Sequence, residues 1–257
     1  MKLEKIPLVV AITGKGGVGK TIITTLIAKA ISKYFKYKLL LIDADPTHPH
    51  LSKMVNLTPE KSLEEIRADI IDKTIRKKAQ AQEIAENIDF EVYNAVKESK
   101  DFSLLSIGQP EGPGCFCPTN ALLRKVIESI SNDFEVVLID CEAGLEQINR
   151  MVIKSVDIIL IVTDISIRSV ETAKSIKEAA NKFSNYSRIG VIVNRAKGDF
   201  SNIESKLNEY SLPLLAVIPE DKIITKFDLE GKALITIPED SLSFQKVKQH
   251  IEKLLEM

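Results

Sequence analysis

The run Gly-Lys-Gly-Gly-Val-Gly-Lys-Thr, at residues 14–21, constrains the fold of this chain more than any other feature. Two glycines frame four residues and are followed by Lys-Thr, which is the pattern of a phosphate-binding loop. The short, β-branched run Ile6–Thr13 precedes it, and Thr21–Phe35 follows with helical spacing of its apolar residues. A strand, a glycine-rich turn and a helix in this order predict backbone N–H groups that converge on phosphate oxygens. The residues of the loop are Gly14, Lys15, Gly16, Gly17, Val18, Gly19, Lys20 and Thr21.

The rest of the chain alternates apolar strands with helical segments. Strands are predicted at Leu39–Asp43, Phe102–Ile107, Phe134–Asp140, Val156–Thr163, Ile189–Val193 and Leu214–Ile218, and helices at Asn120–Ile130, Val170–Phe183 and Leu242–Leu255. Because each strand is almost entirely apolar, we expect a mostly parallel sheet with helices on both faces, an α/β P-loop NTPase fold. The chain has no internal repeat or linker, which predicts one domain over residues 1–257. A charged stretch at about residues 58–100 is expected to form a helical elaboration on it.

Composition argues against several classes of partner. The formal net charge of −1 gives no electrostatic basis for binding nucleic acid. No apolar run approaches the roughly 20 residues that span a bilayer. Three cysteines and the lack of a secretion signal indicate a reducing compartment. We therefore expect a cytoplasmic protein with neither a nucleic-acid nor a membrane partner.

Three side chains of the loop have expected roles in binding and hydrolysing ATP. Lys20 is expected to reach the β- and γ-phosphates, and the Thr21 hydroxyl to hold Mg²⁺. Lys15 directly follows the first glycine and is not needed to bind the chain's own nucleotide. With this lysine the loop resembles that of the deviant P-loop ATPases, the family of MinD, ParA, the arsenite pump ATPase and the nitrogenase iron protein. The resemblance implies a homodimer in which Lys15 crosses the interface to the partner's phosphates.

Acidic residues end two of the predicted strands, at the edge where ligands bind in parallel sheets. The run Asp-Ala-Asp-Pro-Thr-His at residues 43–48 is similar to the first switch of the arsenite-pump branch. That similarity assigns to Asp45 the orientation of the attacking water. Asp140 closes another apolar strand and is expected to hold Mg²⁺ through water. The Ala-Gly pair that ends at Gly144 resembles the second switch, which implies that the Gly144 N–H faces the γ-phosphate.

Two further strand ends carry residues that the family resemblance connects with the base. Asn194 and Arg195 resemble the family's Asn-Arg/Lys pair, whose asparagine reads the adenine edge. Pro219, Glu220 and Asp221 match a loop whose backbone groups pack against the base. With the switches, these motifs extend the resemblance over most of the chain apart from the helical segment.

A Cys-x-Cys pair lies in a loop rich in glycine and proline. In an extended backbone Cys115 and Cys117 point to the same side, and two thiolates make half of a tetrahedral soft-metal site. The chain has no second pair at suitable spacing, but a two-fold axis through this loop would bring four sulfurs together. The alternative is a pair of idle thiols in a reducing compartment.

The residues around the cysteines resemble the CooC proteins, ATPases that insert nickel into carbon monoxide dehydrogenase. The similar runs are Glu-Gly-Pro-Gly-Cys-Phe-Cys at residues 111–117 and Asp-Cys-Glu-Ala-Gly-Leu-Glu at residues 140–146. The resemblance implies Ni²⁺ or Zn²⁺ that Cys115 and Cys117 share across the dimer and release, on ATP hydrolysis, to a client of carbon monoxide dehydrogenase type. Cys141 is either a small core residue or a link between switch motion and the metal loop.

Two other functions stay open at the level of the sequence. A MinD/ParA-like positioning ATPase would recruit partners to a membrane or to DNA, and it predicts a terminal lipid anchor or a basic face. The C-terminal segment has helically spaced apolar residues, but its polar face mixes Lys with Glu, which favours a core-packing helix. An iron–sulfur electron-transfer ATPase would need a further cysteine where this chain has Gln147, although the four thiols of a dimer could hold a cluster.

Overall fold

The computed structural model describes residues 3, 5–45, 50–77, 90–109, 125, 127–142 and 156–256. The strands are β1 (Leu8–Gly14), β2 (Leu39–Ala44), β3 (Lys97–Glu98), β4 (Ser103–Ser106), β5 (Val136–Cys141), β6 (Ile158–Thr163), β7 (Arg188–Ala196) and β8 (Leu214–Pro219). The helices are α1 (Lys20–Ala30), α2 (Leu51–Val55), α3 (Leu63–Lys77), α4 (Ile167–Phe183), α5 (Ser201–Glu209), α6 (Lys222–Leu229) and α7 (Leu242–Glu256). Residues 90–95 and 127–131 are helical as well.

The described strands form one sheet in the order β3-β4-β2-β5-β1-β6-β7-β8. Every neighbouring pair is parallel except β3 and β4, which confirms the predicted α/β fold with a mostly parallel sheet. β1 lies between β5 and β6, and β2 lies on the far side of β5. The carboxyl ends of β1, β2 and β5 therefore meet in the middle of one edge, where parallel sheets bind ligands.

Helices cover both faces of the sheet, as the apolar strands predict. All residues of β1, β2, β5 and β6 are buried. Side chains of a strand alternate between its two faces. Val9 and Ala11 accordingly pack in the cluster that includes residues of α3, α4 and α5. Val10 and Ile12 pack in the opposite cluster, with residues of α1, α2 and α7.

The structure corrects several predicted boundaries. The helix predicted to run to Phe35 is α-helical only to Ala30 and continues as a π-helical turn. In the segment predicted as helical at 58–100, α3 and residues 90–95 are helical. Lys97–Glu98 instead forms the antiparallel strand β3, because a tight turn lets the Ser99 N–H donate to the Phe102 carbonyl at 2.9 Å. The predicted helix at 120–130 lies partly outside the described residues.

The C-terminal helix α7 packs into the core, as its mixed polar face indicates. Its helically spaced apolar residues are all buried: Phe244, Val247, Ile251, Leu254 and Leu255. Among the described helices, none combines the length and the apolar character that crossing a bilayer requires.

Candidate functional site

The phosphate-binding loop joins the central strand to α1, and its glycines have two different structural roles. A Cβ at Gly14 would lie 2.2 Å from a carbonyl oxygen of β6, and a Cβ at Gly19 would lie 2.5 Å from Nδ2 of Asn194. These two positions have φ angles of 147° and 92°, which residues that carry a side chain rarely adopt. At Gly16 and Gly17 no atom lies within 4 Å of such a Cβ. The outer glycines thus fit the loop to the sheet, and the inner ones leave its backbone open to a ligand.

A cavity of about 540 Å³ opens over this loop. Besides the glycines it is lined by Lys20 and Thr21 at the start of α1, by Asp45 after β2 and by Arg195 in β7. Seven predicted site residues, the three glycines and these four side chains, therefore meet in one cavity. His50 also lines it. The switch residues between Asp45 and His50 lie outside the described part of the chain.

The Lys20 side chain is held in place by a backbone carbonyl of the phosphate loop. Its side chain is nearly buried, and Nζ donates a hydrogen bond to the Lys15 carbonyl oxygen at 3.3 Å. Burial raises the pKa of Asp140, and the positive charge of Lys20 is one of the effects that oppose this rise. An ammonium group in this position is suited to the terminal phosphates of a nucleotide.

Asp140 lies at the carboxyl end of β5 and is 2% exposed. Burial raises its pKa to about 6, although hydrogen bonds from Thr21 and Thr24 and the charge of Lys20 oppose the rise. The Thr24 hydroxyl donates to Oδ1 at 3.1 Å. The two residues predicted to hold Mg²⁺, Thr21 and Asp140, therefore lie near enough for Thr21 to oppose the rise in the pKa of Asp140. A hydroxyl and a carboxylate are hard oxygen donors, so this pair fits Mg²⁺.

Asp43 is a functional candidate to which sequence reasoning gave no role. It lies opposite Asp140 on the neighbouring strand and is 1% exposed. Its carboxylate accepts the backbone N–H groups of Asp45 at 3.3 Å and Leu51 at 3.2 Å. Burial and then the charge of Asp140 raise the pKa of Asp43 to about 7. An ionisable residue near the end of a wholly apolar strand is the signal that identifies it.

Asn194 and Arg195 fasten the end of β7 to the phosphate loop. Asn194 is buried, and its Nδ2 donates to the Val18 carbonyl oxygen at 2.8 Å. Arg195 has a left-handed φ of 54°, and its guanidinium group donates to the Gly17 carbonyl oxygen at 3.2 Å. The structure places both at the cavity's loop, while the contact of Asn194 with adenine stays a prediction.

Hydrogen bonds to Asp221 stabilise the loop at residues 219–221, which is predicted to pack against the base. One carboxylate oxygen accepts the Ile223 N–H at 2.8 Å and caps α6. The other accepts the Ser241 hydroxyl at 2.6 Å and the Ser243 N–H at 3.0 Å. Burial opposes ionisation, but these hydrogen bonds outweigh it and lower the pKa of Asp221. Its carboxylate is thus engaged within the chain, in keeping with a loop that offers a base only backbone groups.

Lys15 is half-buried, and its charge acts within its own chain. Asp164 follows β6; burial opposes its ionisation, but hydrogen bonds from Ser166 and the charge of Lys15 lower its pKa. The Ser166 hydroxyl donates to Asp164 at 2.5 Å. The action of Lys15 on a partner's nucleotide stays a prediction.

Several predicted site residues lie outside the described part of the chain: Cys115, Cys117 and Gly144. Among the described residues, no group of three or more His, Cys, Asp or Glu is arranged to hold a metal ion. Cys141 is described and fully buried, and its Sγ donates to the Ile139 carbonyl oxygen at 3.5 Å. Burial raises the pKa of the Cys141 thiol well above its ordinary value. This supports a core residue among the two roles left open.

Comparisons with known proteins agree with this fold. The model of the CobQ/CobB/MinD/ParA nucleotide binding domain family (CbiA) matches residues 9–235. An uncharacterized ATP-binding protein of Methanocaldococcus jannaschii is 35% identical over 256 residues, which cover 96% of this chain and 98% of that protein. The carbon monoxide dehydrogenase accessory protein CooC of Rhodospirillum rubrum is 30% identical over 244 residues, 86% of this chain and 87% of that protein. The structure of the cell division ATPase MinD of Pyrococcus furiosus matches with a TM-score of 0.71 at 26% identity, over 97% of this chain and 100% of that one.

A phosphate-binding loop on the central strand of a parallel sheet, with buried carboxylates at the neighbouring strand ends, defines a P-loop nucleotide-binding protein. The chain belongs to the CobQ/CobB/MinD/ParA family of nucleotide-binding domains, and it is an ATPase. The family resemblance read from the motifs is thereby confirmed, including its relation to CooC.

Proposed function

We propose that this ATPase is a metallochaperone. It carries Ni²⁺, or another soft ion such as Zn²⁺, between two copies of the chain and delivers it to a client enzyme of carbon monoxide dehydrogenase type. The observation that carries the proposal is the pair Cys115 and Cys117 in a chain 30% identical to CooC. Thiolates are preferred ligands of such ions, and a tetrahedral site needs four donors. Two chains related by a two-fold axis supply them.

The nucleotide site supplies the driving reaction. Lys20 and the loop backbone bind the phosphates, and Thr21 and Asp140 offer Mg²⁺ its oxygen ligands. Mg²⁺, when bound, neutralises charge on the β- and γ-phosphates. Asp45 orients the attacking water, and the Gly144 N–H contacts the γ-phosphate. The proximity of Thr21 to Asp140 at the end of the loop supports this assignment.

A hydrogen-bonded connection supports coupling between hydrolysis and the metal loop. The Ile107 N–H donates to the Asp43 carbonyl oxygen at 2.9 Å, and the Ile107 carbonyl accepts the Glu64 N–H at 2.9 Å. Ile107 follows β4, and the chain from there leads to Cys115. A shift of the β2 end, where Asp45 contacts the nucleotide cavity, would therefore displace the start of the segment that carries the thiols.

Metal stoichiometry tests the proposal. The purified protein is expected to bind one Ni²⁺ or Zn²⁺ per dimer, and metal is expected to favour dimerisation. Affinity falls at lower pH because the thiols must lose protons to bind. The double variant Cys115→Ser, Cys117→Ser should lose the metal and keep ATP binding, while the control Cys141→Ser keeps both. A full ion per dimer in the double variant, or one ion per monomer in the wild type, would refute the shared site.

The role of Asp45 is tested separately. Asp45→Ala is expected to bind ATP as the wild type does, because the phosphate loop is intact, and to lose hydrolysis. Equilibrium binding of ATP and release of phosphate distinguish the two steps. Normal phosphate release by this variant would assign the water-orienting role elsewhere.

A positioning ATPase is the second candidate, since the MinD structure matches 97% of this chain at 26% identity. Recruitment to a membrane needs an exposed apolar anchor. The helically spaced apolar side chains of α7, from Phe244 to Leu255, are instead buried in the described structure. Sedimentation with anionic vesicles in the presence of ATP separates the candidates, because a metallochaperone stays in the supernatant. An iron–sulfur cluster would reveal itself by visible absorption, which Zn²⁺ lacks.

A further inference from the structure

We propose that Thr24 is a positioning residue of the ATPase site, which holds the Asp140 carboxylate in the orientation that Mg²⁺ binding requires. Thr24 lies in α1, three residues after Thr21, where the phosphate-loop motif ends. Its hydroxyl donates to Asp140 Oδ1 at 3.1 Å. Residues that bind a metal are themselves oriented by hydrogen-bond partners behind them. This role of Thr24 rests on the proposed assignment of Thr21 and Asp140 to Mg²⁺.

The Thr24 hydroxyl lies where an apolar side chain would be expected. Ile23, Leu26 and Ile27 surround it along α1 and are wholly buried, and Thr24 itself has no exposed surface. A buried hydroxyl costs free energy unless it forms hydrogen bonds, and a valine of nearly the same shape would avoid that cost. The hydrogen bonds of Thr24 therefore decide whether this hydroxyl is tolerated in the core.

One of these hydrogen bonds is an ordinary helical contact. Thr24 Oγ1 lies 3.0 Å from the Lys20 carbonyl oxygen, one turn earlier in α1. Thr25 forms the same contact with the Thr21 carbonyl oxygen at 2.7 Å and is equally buried. Such bonds satisfy a buried hydroxyl within its own helix. The contact that distinguishes Thr24 is the one to Asp140, which joins the helix to the sheet.

The carboxylate is the stronger of the two acceptors of the Thr24 proton. A hydroxyl has a single proton, so Thr24 donates to the Lys20 carbonyl or to Asp140 at any moment. A carboxylate that binds a metal is deprotonated, and hydrogen bonds to an ionised acceptor are roughly twice as strong as neutral ones. The contact with Asp140 is therefore favoured when Mg²⁺ is bound. With Oδ1 held, the plane of the carboxylate cannot turn freely.

The contact also fixes the carboxylate to the helix that begins in the phosphate loop. Thr21 and Thr24 are three residues apart and so lie on one face of α1. Burial raises the pKa of Asp140, and hydrogen bonds from both threonines oppose the rise. Loss of the Thr24 hydroxyl should leave the phosphate loop intact and let the Asp140 carboxylate turn. Mg²⁺ should then bind more weakly, while nucleotide binding without metal stays the same.

The Mg²⁺ affinity of the nucleotide-bound protein tests the proposal. The dissociation constant of fluorescent mant-ADP, measured over a range of Mg²⁺ concentrations, gives this affinity by linkage. Thr24→Val should weaken Mg²⁺ binding roughly tenfold, as expected for a residue that orients a metal ligand. Thr24→Ala should do the same, and Thr24→Ser, which keeps the hydroxyl, should restore the affinity. Binding of mant-ADP in EDTA should be unchanged in all three variants, and ATP hydrolysis by Thr24→Val should recover most of its rate at saturating Mg²⁺.

Thr25→Val is the matched control. It removes a hydroxyl that is as deeply buried and forms the same bond within α1, but whose other neighbour is the Met54 sulfur at 3.9 Å instead of Asp140. It should leave the Mg²⁺ affinity unchanged. Equal weakening by Thr24→Val and Thr25→Val, a Thr24→Ser variant as weak as Thr24→Val, or an unchanged Mg²⁺ affinity in Thr24→Val would each overturn the proposal.

Asp140→Asn separates the role of Thr24 from the assignment on which it rests. This variant should weaken Mg²⁺ binding at least as much as Thr24→Val, because it alters the metal-binding carboxylate itself. If Asp140→Asn leaves the Mg²⁺ affinity unchanged, the assignment of Asp140 is wrong and the role of Thr24 is refuted with it. If Asp140→Asn weakens Mg²⁺ binding and Thr24→Val does not, the role of Thr24 alone is refuted.

Discussion

At the scale of single residues, two buried aspartates lie at the ends of neighbouring strands in this site, and the pKa values of both are raised. Asp43 and Asp140 lie opposite each other, and both are almost inaccessible to water. The pKa of Asp43 is about 7 in the folded chain, against an ordinary value of 3.8. Between these values the folded chain holds a proton that the unfolded chain has released. Binding of this proton contributes to the free energy of unfolding. The contribution is fully present below pH 3.8 and is lost as the pH rises through 7.

Asp43→Asn is therefore expected to stabilise the nucleotide-free protein at pH 8 by about 1–2 kcal/mol, because it removes a buried charge and loses one hydrogen-bond acceptor. At pH 5 the folded chain already holds Asp43 protonated, so the gain should be clearly smaller than at pH 8. Urea unfolding at the two pH values measures the difference. A variant that is less stable than the wild type by the same amount at both values would contradict the burial-driven pKa.

The glycines of the phosphate loop allow a matched pair of substitutions. Gly19→Ala forces a side chain into a left-handed backbone and against Asn194, so it is expected to cost about 2 kcal/mol or more of stability. Gly16→Ala meets open space and should leave the unfolding free energy nearly unchanged. Urea unfolding of the nucleotide-free variants gives both values. Equal losses at the two positions would show that the loop relaxes in a way the structure does not contain.

At the scale of elements, burial decides how well the sequence predicts the structure. The strands β1, β2, β5 and β6 match their predicted ranges within one or two residues, because each is an apolar run buried on both faces. The helices α2, α5 and α6 were not predicted. They are short, and helices of this length depend on tertiary packing more than on their own periodicity. β3 depends in the same way on its pairing with β4.

α7 provides a prediction at this scale. Phe244 is fully buried, stacks on Tyr34 with ring centroids 6.5 Å apart, and lies 5.4 Å from Nζ of Lys29. Phe244→Ala should cost about 3–4 kcal/mol of unfolding free energy, as expected for a large buried aromatic side chain. Leu242→Ala on the same helix is the control: it is 57% exposed and should change stability by less than about 0.5 kcal/mol. Similar effects of the two variants would argue for a helix that leaves the core, as an anchor does.

At the scale of the whole molecule, motifs in the sequence predict most of the nucleotide site. The structure adds the residues that are brought together by the pairing of strands distant in the chain. The order of the motifs along the chain identifies four side chains of the site, and the parallel sheet brings them to one cavity: Lys20, Thr21, Asp45 and Arg195. The pairing of Asp43 with Asp140 could not be read in the same way. It depends on β5 lying beside β2, although a long segment of chain separates these strands. Strand order is a property of the folded sheet, and local patterns do not encode it.

The last prediction concerns assembly. Lys15 acts on Asp164 within one chain, and the family resemblance implies that it reaches the partner's phosphates in the dimer. Lys15→Ala should keep nucleotide binding, because Lys20 and the loop backbone are unchanged. Removal of one partner from a buried charge pair costs about 2 kcal/mol or more. The variant dimer loses two such pairs, about 4 kcal/mol in all, so its dissociation constant should rise roughly a thousandfold.

Light scattering with a non-hydrolysable ATP analogue measures this equilibrium over a range of protein concentrations. Lys100→Ala is the control, since Lys100 is exposed and lines a cavity that shares no residue with the nucleotide cavity. It should dimerise as the wild type does. A nucleotide-dependent dimer of unchanged strength in Lys15→Ala would confine this lysine to its own chain, where its charge lowers the pKa of Asp164 against the effect of burial.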